Sequence, residues 1–106
     1  MITVTVTFHL PTPVSREDMK RLSLGTAEKY RKIPGLLRKY YVRSEDGATV
    51  GGVYLWKNRT AAETLYTEDW RKTVQTAYGA APVVAYFECA VVVDNLSGDV
   101  PDVVGT

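Results

Sequence analysis

The chain has 106 residues, of which 45% are hydrophobic and 24% charged, and its formal net charge at pH 7 is +1. This length and composition predict one folded domain and exclude an intrinsically disordered chain. The single cysteine, Cys89, excludes an internal disulfide scaffold, and one histidine leaves no cluster of zinc ligands. The first ten residues alternate with Thr and have no basic start. We therefore expect neither a signal peptide nor a membrane anchor, and a soluble, cytoplasmic protein.

The predicted elements begin with a strand over residues 2–10, in which apolar residues alternate with Thr and His9. Ser15 predicts the N-cap of an amphipathic helix, which Pro34-Gly35 ends. Two strands follow, at about Leu36–Ser44 and Thr49–Lys57. Between them, a Glu-Asp-Gly sequence predicts a tight turn.

Two short helices are predicted next. Asn58 opens the first, which runs through Thr67 and has Thr60 and Glu63 in capping-box register. A second helical segment covers residues 70–77, with Asp69 as its cap and a glycine at its end.

The last strand is predicted over Pro82–Val93 and is almost entirely apolar, which is typical of a central strand covered on both faces. Residues 1–95 then form one α+β domain of ferredoxin-like order β-α-β-β-α-β, with a four-stranded antiparallel sheet and helices on one face. Residues 96–106 are predicted to be a C-terminal tail. The other sheet face has nothing within the chain to cover it, so we predict a homodimer.

The charge is concentrated in one half of the chain. Residues 16–43 hold nine Lys or Arg against three acids, a balance of +6. A basic ferredoxin-like domain can bind RNA through aromatic side chains on its sheet. The aromatic strands here lack the RNP pattern and the overall charge is only +1. We therefore expect no nucleic-acid partner, and a salt-dependent shift on nucleic acid would reopen this alternative.

The sequence is poor in the motifs of common enzymes and rich in aromatic side chains. It has no Gly-rich phosphate loop, no metal-ligand spacing and no G-x-S-x-G motif. Such aromatic side chains, with a few hydroxyls, suit a pocket for a flat organic ligand. The candidates are Tyr40, Tyr41, Tyr54, Trp56, Tyr66, Trp70, Tyr78 and Tyr86.

The middle of the chain resembles a known family. Pro34-Gly35-Leu36 leads into Lys39-Tyr40-Tyr41, and Gly51-Gly52-Val53-Tyr54-Leu55-Trp56 precedes an Ala-rich helix that ends near Tyr66 and Trp70. Phe87-Glu88 and Val91-Val92-Val93-Asp94 fit the same pattern. These residues resemble the YdhR-like monooxygenases of the dimeric α+β barrel superfamily. The resemblance implies a ferredoxin-like homodimer that forms a dimeric α+β barrel, and oxygenase activity.

The resemblance also implies a mechanism without metal, flavin or any other cofactor. An electron-rich phenol or quinol, or a polyketide-like compound, would pass an electron to oxygen while the protein favours its anion and excludes water. Related enzymes use Asn, Trp and Tyr or His, for which the counterparts here are Asn58, Trp56, Tyr54 and His9. Tyr40, Tyr66, Trp70 and Tyr86 are the candidate substrate contacts. The alternative is a small-molecule-binding or stress-response dimer that performs no chemistry.

Each candidate also has a structural interpretation. Tyr54 and Trp56 can be core or dimer packing, Trp70 and Tyr66 can share a core face, and His9 can be a polar surface residue. Asn58 can simply start a helix. Three basic residues can hold an anionic group or protect a strand edge from pairing, and these are Arg38, Lys39 and Arg43.

Overall fold

The computed structural model describes residues 1–96 and 100–101. Four strands form one antiparallel sheet of order β2-β3-β1-β4, and two more form a separate small hairpin. The strand order and the helices on one face confirm the α+β ferredoxin-like prediction. The elements are β1 Ile2–His9, α1 Arg16–Arg31, β2 Leu36–Arg43, β3 Thr49–Trp56, α2 Arg59–Glu63, α3 Glu68–Tyr78, β4 Val83–Glu88, β5 Val91–Val92 and β6 Val100–Pro101.

The two faces of the sheet differ, as the alternation in β1 predicts. The apolar residues of β1 are buried, and the register places Val4 opposite Tyr54 and Ile2 opposite Trp56 on the same face. Helical side chains complete this core. They are Met19 from α1, Ala62 from α2, Tyr66 between α2 and α3, and Trp70 from α3. The core therefore lies between the helices and one face, which we call the helix face. The opposite face is called the open face below.

The first two helices start as predicted, at Ser15 and Asn58, whereas α2 ends before the predicted Thr67 and α3 has a different cap. Ser15 Oγ accepts the Asp18 backbone N–H of α1 at 3.1 Å. For α2, Asn58 Oδ1 accepts the Ala61 N–H at 2.9 Å, and the helix ends at Glu63. The predicted capping box of Thr60 with Glu63 is therefore wrong. Asn58 caps the helix two residues earlier because its short amide satisfies a free backbone donor there.

The cap of α3 is also displaced. Thr67 Oγ1 accepts the Trp70 N–H at 3.2 Å, so Thr67 and not Asp69 is the N-cap. Asp69 stands in the first turn, where a carboxylate stabilises the helix dipole. Gly79 ends the helix in the left-handed conformation at φ 71°, as predicted.

The last strand departs most from prediction. It spans only Val83–Glu88 and lies at the edge of the sheet, so the predicted central strand over Pro82–Val93 is wrong. The last β1–β4 pair joins Ile2 and Glu88, and the Cys89 N–H then donates to the Met1 carbonyl at 2.9 Å. The apolar composition reflects an open-face surface instead, since Val83 and Phe87 are each 54% exposed.

The chain continues past the sheet into the small hairpin. Asp94 is buried there and pairs with Arg38 of β2 at 2.6 Å. The β6 strand falls inside the predicted tail of residues 96–106, of which residues 97–99 and 102–106 lie outside the described residues. Within the described ranges, none of the helices is long and apolar enough to cross a membrane.

Candidate functional site

A cavity of about 220 Å³ lies between α1, α3 and the helix face of the sheet. It is partly open to solvent and mostly apolar, and its volume falls below the ~300–1,000 Å³ of drug-sized ligand pockets. A ligand of one or two rings fits such a space better than a larger one. The lining residues are Phe8, Leu22, Thr26, Lys29, Tyr30, Lys39, Tyr41, Gly51, Gly52, Tyr54, Trp70, Thr73, Val74, Ala77 and Tyr78.

A contiguous aromatic cluster supports one wall of this cavity. Tyr54 stacks on Trp56 with ring centroids 6.3 Å apart, and Tyr66 meets Tyr54 edge to face at 5.5 Å. Trp56 is fully buried, and its indole N–H donates to Tyr66 Oη at 3.0 Å. Tyr66 in turn contacts Trp70 at 5.0 Å and Tyr86 at 6.0 Å. Edge-to-face packing of this kind fixes ring positions, so Tyr54 and Trp70 are held rigidly at the cavity wall.

Trp70 carries a polar group without a protein partner. Its side chain is only 8% exposed, yet among the described residues its buried indole N–H meets no hydrogen-bond acceptor. A buried donor left unpaired costs about 1–3 kcal/mol, so proteins keep few of them. Trp70 also lines the cavity, so its ring is a candidate contact for a bound ligand.

Lys39 places its ammonium group among three tyrosine rings. Its Nζ lies 3.3 Å from the ring centroid of Tyr30, 4.0 Å from that of Tyr41 and 4.7 Å from that of Tyr54. Burial, followed by the positive charge of Lys29, lowers the pKa of Lys39 to about 7. The Lys39 amine is therefore a group in this cavity that can gain or lose a proton near neutral pH.

The tyrosines around the cavity behave in the opposite way. Burial raises the pKa of Tyr54 and of Tyr78, and it also raises that of Tyr41, which hydrogen-bonds Thr26 at 2.6 Å. These phenols stay protonated at neutral pH, so they can donate hydrogen bonds to a ligand but cannot act as its base.

The Gly51-Gly52 pair in β3 makes room for this arrangement. A Cβ on Gly52 would lie 2.9 Å from Tyr54 Cε1 and 3.1 Å from Lys39 Cε. A Cβ on Gly51 would meet the Val6 carbonyl oxygen. Gly51 therefore allows β3 to lie close to β1. Gly52 leaves room for the Lys39 side chain to extend over β3 toward the cavity.

A groove at the surface adjoins the cavity between α1 and β2. It has a volume of about 400 Å³ and a basic character from Arg31 and Arg38. Three residues line both spaces, namely Tyr30, Lys39 and Tyr41. Lys39 thus lies between the surface groove and the cavity.

The structure brings some of the predicted site residues together and separates others. Tyr54 and Trp70 line the cavity, while Trp56, Tyr66 and Tyr86 form the cluster behind its wall. Arg59 covers this cluster on one side, with its guanidinium 4.3 Å from the centroid of the Tyr86 ring. Burial within the cluster raises the pKa of Tyr66.

The other three candidates lie elsewhere. His9 is exposed on the open face, where its Nδ1 lies 3.3 Å from Thr49 Oγ1. Tyr40 is 52% exposed on that same face and accepts a hydrogen bond from Arg38. Asn58 is occupied as the cap of α2. None of these three is among the residues that line the cavity.

The sequence pattern indicated that Lys39 could hold an anionic group or protect a strand edge, and it did not single out Tyr30. The strand pattern held part of the signal, because Lys39 and Tyr41 alternate with Tyr40 and share the face of Leu36. The other part depends on α1 bringing Tyr30 over that strand, which spacing along the chain does not reveal. In the described part of the chain, no group of three or more His, Cys, Asp or Glu side chains could hold a metal ion.

Comparisons with known proteins identify relatives of this architecture. No curated protein sequence matches the chain. Among solved structures, the chain is similar to the ActVA-Orf6 monooxygenase of Streptomyces coelicolor, in complex with nanaomycin D, at 23% identity and a TM-score of 0.61, over 81% of this chain and 84% of that one. An antibiotic biosynthesis monooxygenase of Deinococcus radiodurans matches at 15% identity and a TM-score of 0.63, over 89% and 97%.

A third similar structure is SnoaB of Streptomyces nogalater, a cofactor-independent oxygenase, at 14% identity and a TM-score of 0.61, over 83% of this chain and 91% of that one. At these identities the likeness shows a shared fold. The family described as "Putative mono-oxygenase ydhR" matches residues 3–91, which is most of the chain. The chain therefore belongs to the ydhR mono-oxygenase family.

Proposed function

We propose that this protein is a cofactor-independent monooxygenase that oxidises a small electron-rich aromatic compound in the cavity between α1, α3 and the sheet. Membership of the ydhR family supports monooxygenase activity in general. The observation that carries the finer proposal is the aromatic cavity itself, whose wall includes the rings of Tyr54 and Trp70. Two relatives of the same fold add support, since one is a cofactor-independent oxygenase and the other holds an organic ligand.

The proposed reaction uses the substrate as its own reductant. In a phenol with a free para position, the phenolic O–H and the para C–H bonds break, and one oxygen atom of O₂ becomes a new carbonyl. The second oxygen atom leaves as water with both hydrogens, and the ring is oxidised to a quinone. The four electrons that reduce O₂ come from the ring. The protein binds the ring, favours its anion and excludes water.

We assign roles by position. Tyr54 and Trp70 would contact the ligand. Trp56 and Tyr66 would hold these two rings in place. The other candidates, His9, Tyr40, Asn58 and Tyr86, lie outside the cavity lining, and His9 serves as the control in the assay below.

Oxygen uptake with a probe substrate tests the proposal. A naphthalenediol with a free para position has two rings and is electron-rich. With it, wild type should consume one O₂ per diol lost, at a rate above the uncatalysed one. Trp70→Phe replaces the indole at the cavity wall with a smaller ring that holds the ligand less well, so it should slow uptake by ~5–50-fold. His9→Ala is the control and should retain the wild-type rate. Binding of the diol without oxygen uptake would instead favour the non-catalytic binding dimer.

We propose a homodimer formed through the open face. Several large apolar side chains are exposed on or beside it, an arrangement that a second copy would cover. They are Leu37, Tyr40, Val42, Val83 and Phe87, which are between 38% and 54% exposed. Light scattering on a sizing column should give twice the chain mass. A monomer at micromolar concentration would contradict this proposal.

A further inference from the structure

The Lys39 amine is a chemical group that the core packing described above does not require. It lies on the helix face of the edge strand β2, opposite Tyr54 in the β2–β3 ladder. Its chain is mostly buried, and its Nζ lies against the faces of three tyrosines. The cavity residues include no Asp or Glu, and in the described part of the chain Lys39 forms no ion pair.

A buried ammonium group without a carboxylate is costly. Contacts with aromatic faces return about 0.5–2 kcal/mol, which offsets only part of the desolvation. The remaining cost lowers the pKa of Lys39 to about 7, so the neutral amine is well populated at neutral pH. An anionic ligand beside Nζ would supply the missing counter-charge and would raise the pKa of Lys39 again.

The other groups that face Lys39 do not compete for this role. From α1 these are Lys29, which repels a second positive charge, and Tyr30. The strands contribute Tyr41 and Tyr54, whose raised pKa values keep them protonated. The cavity therefore combines one proton acceptor with several neutral donors, a set that matches a phenolate oxygen.

We propose that Lys39 is the base of this cavity, which takes the proton of a phenolic ligand and holds the resulting phenolate as its counter-ion. The ligand O–H bond breaks, its electron pair stays on oxygen, and a new N–H bond forms at Nζ. No electron is transferred in this step. The ligand class is aromatic alcohols that bind as their anions. This inference rests on the proposed function in that both use the same cavity, and it deepens that function by naming the base.

The position of Lys39 also explains how such a ligand enters. Lys39, Tyr30 and Tyr41 line both the cavity and the basic surface groove beside it. A phenol that passes Lys39 meets the amine at the boundary between the two spaces.

Binding of 4-nitrophenol tests the proposal without any oxidation, because its phenolate is yellow and its neutral form is not. At pH 7, where about half of the Lys39 amine is neutral and the free probe is only partly ionised, binding to wild type should increase the phenolate absorbance. Lys39→Met keeps the side chain as far as Cε and removes the amine. It should bind the probe at least ~10-fold more weakly and without that increase. Lys72→Met, an exposed lysine of α3, is the matched control and should behave as wild type.

Three outcomes would overturn the role of Lys39: a probe that stays neutral when bound, equal ionisation by Lys39→Met, or no binding to wild type. Thermal unfolding of Lys39→Met establishes that this variant is folded. Oxygen uptake distinguishes the two proposals. If the protein binds the phenolate but oxidises no diol, the proposed function is wrong and the role of Lys39 as base stands. If Lys39→Met consumes oxygen at the wild-type rate, the proposed function stands and Lys39 is not the base.

Discussion

Lys39 makes the stability of the fold depend on pH in a way that a single variant can isolate. Burial and the charge of Lys29 lower its pKa from 10.5 to about 7 in the folded state. Between these values the unfolded chain binds a proton that the folded chain has lost, so stability must rise with pH. Below about pH 7 both states are protonated and the dependence on this group disappears.

The size of the effect follows from the shift. With 1.36 kcal/mol per pKa unit, the lowered pKa of this amine costs folding about 4 kcal/mol at pH 7 and about 2 kcal/mol at pH 9. Partial exposure and the three ring contacts reduce both figures. Lys39→Met lacks the penalty. We therefore expect its stability advantage over wild type to shrink by about 1–2 kcal/mol between pH 7 and pH 9.

Urea unfolding followed by tryptophan fluorescence measures this difference at pH 6.5, 7, 8 and 9, with protein concentration held constant so that any dimer contributes equally. Subtracting wild type from Lys39→Met cancels the titration of all other groups. Lys72→Met serves as the control, and its difference from wild type should not change with pH. A pH-independent difference for Lys39→Met would refute the reasoning, since it would mean that Lys39 has the same pKa in both states.

Three further variants test other parts of the structure. Asn58→Ala removes the cap of α2 and should lower the free energy of unfolding by about 1 kcal/mol in urea, while oxygen uptake stays near wild type. Trp56→Phe removes the hydrogen bond to Tyr66 and part of a fully buried ring, so a loss of about 1–3 kcal/mol is expected in the same assay; no loss would contradict the packing described. Phe87→Asp places a charge on the open face and should convert a dimer to monomers on a sizing column. An unchanged dimer would show that this face is not the interface.

The fold could be predicted from sequence because its signals are local. Strict alternation in residues 2–10, Ser15 before an amphipathic stretch and Gly79 after the last helix each specify one element. Caps were less predictable, because several residues near each helix start can accept the same backbone N–H. The prediction that the last strand is central was wrong for a different reason. An apolar strand is expected wherever both faces are covered, whether by the chain itself or by a partner.

The sequence predicted some residues of the candidate site but not how they come together. Tyr54 and Trp70 could be selected as aromatic residues, but which of the aromatic residues share a face depends on strand register and on the position of each helix. The assembly of Lys39 with Tyr30 requires the packing of α1 on β2, a long-range contact that no local pattern encodes. His9 shows the converse, since its polarity marks the strand face that points away from the cavity.

Isotope labelling tests the proposed oxygenase activity most directly. Metal-free protein would be incubated with a naphthalenediol under ¹⁸O₂, and the quinone product analysed at once by mass spectrometry. We expect one ¹⁸O atom in each quinone, with the second atom in water, and a rate that falls in Trp70→Phe. Quinone without ¹⁸O, or a rate equal to that without protein, would contradict the assignment of this cavity as the site of oxygenation.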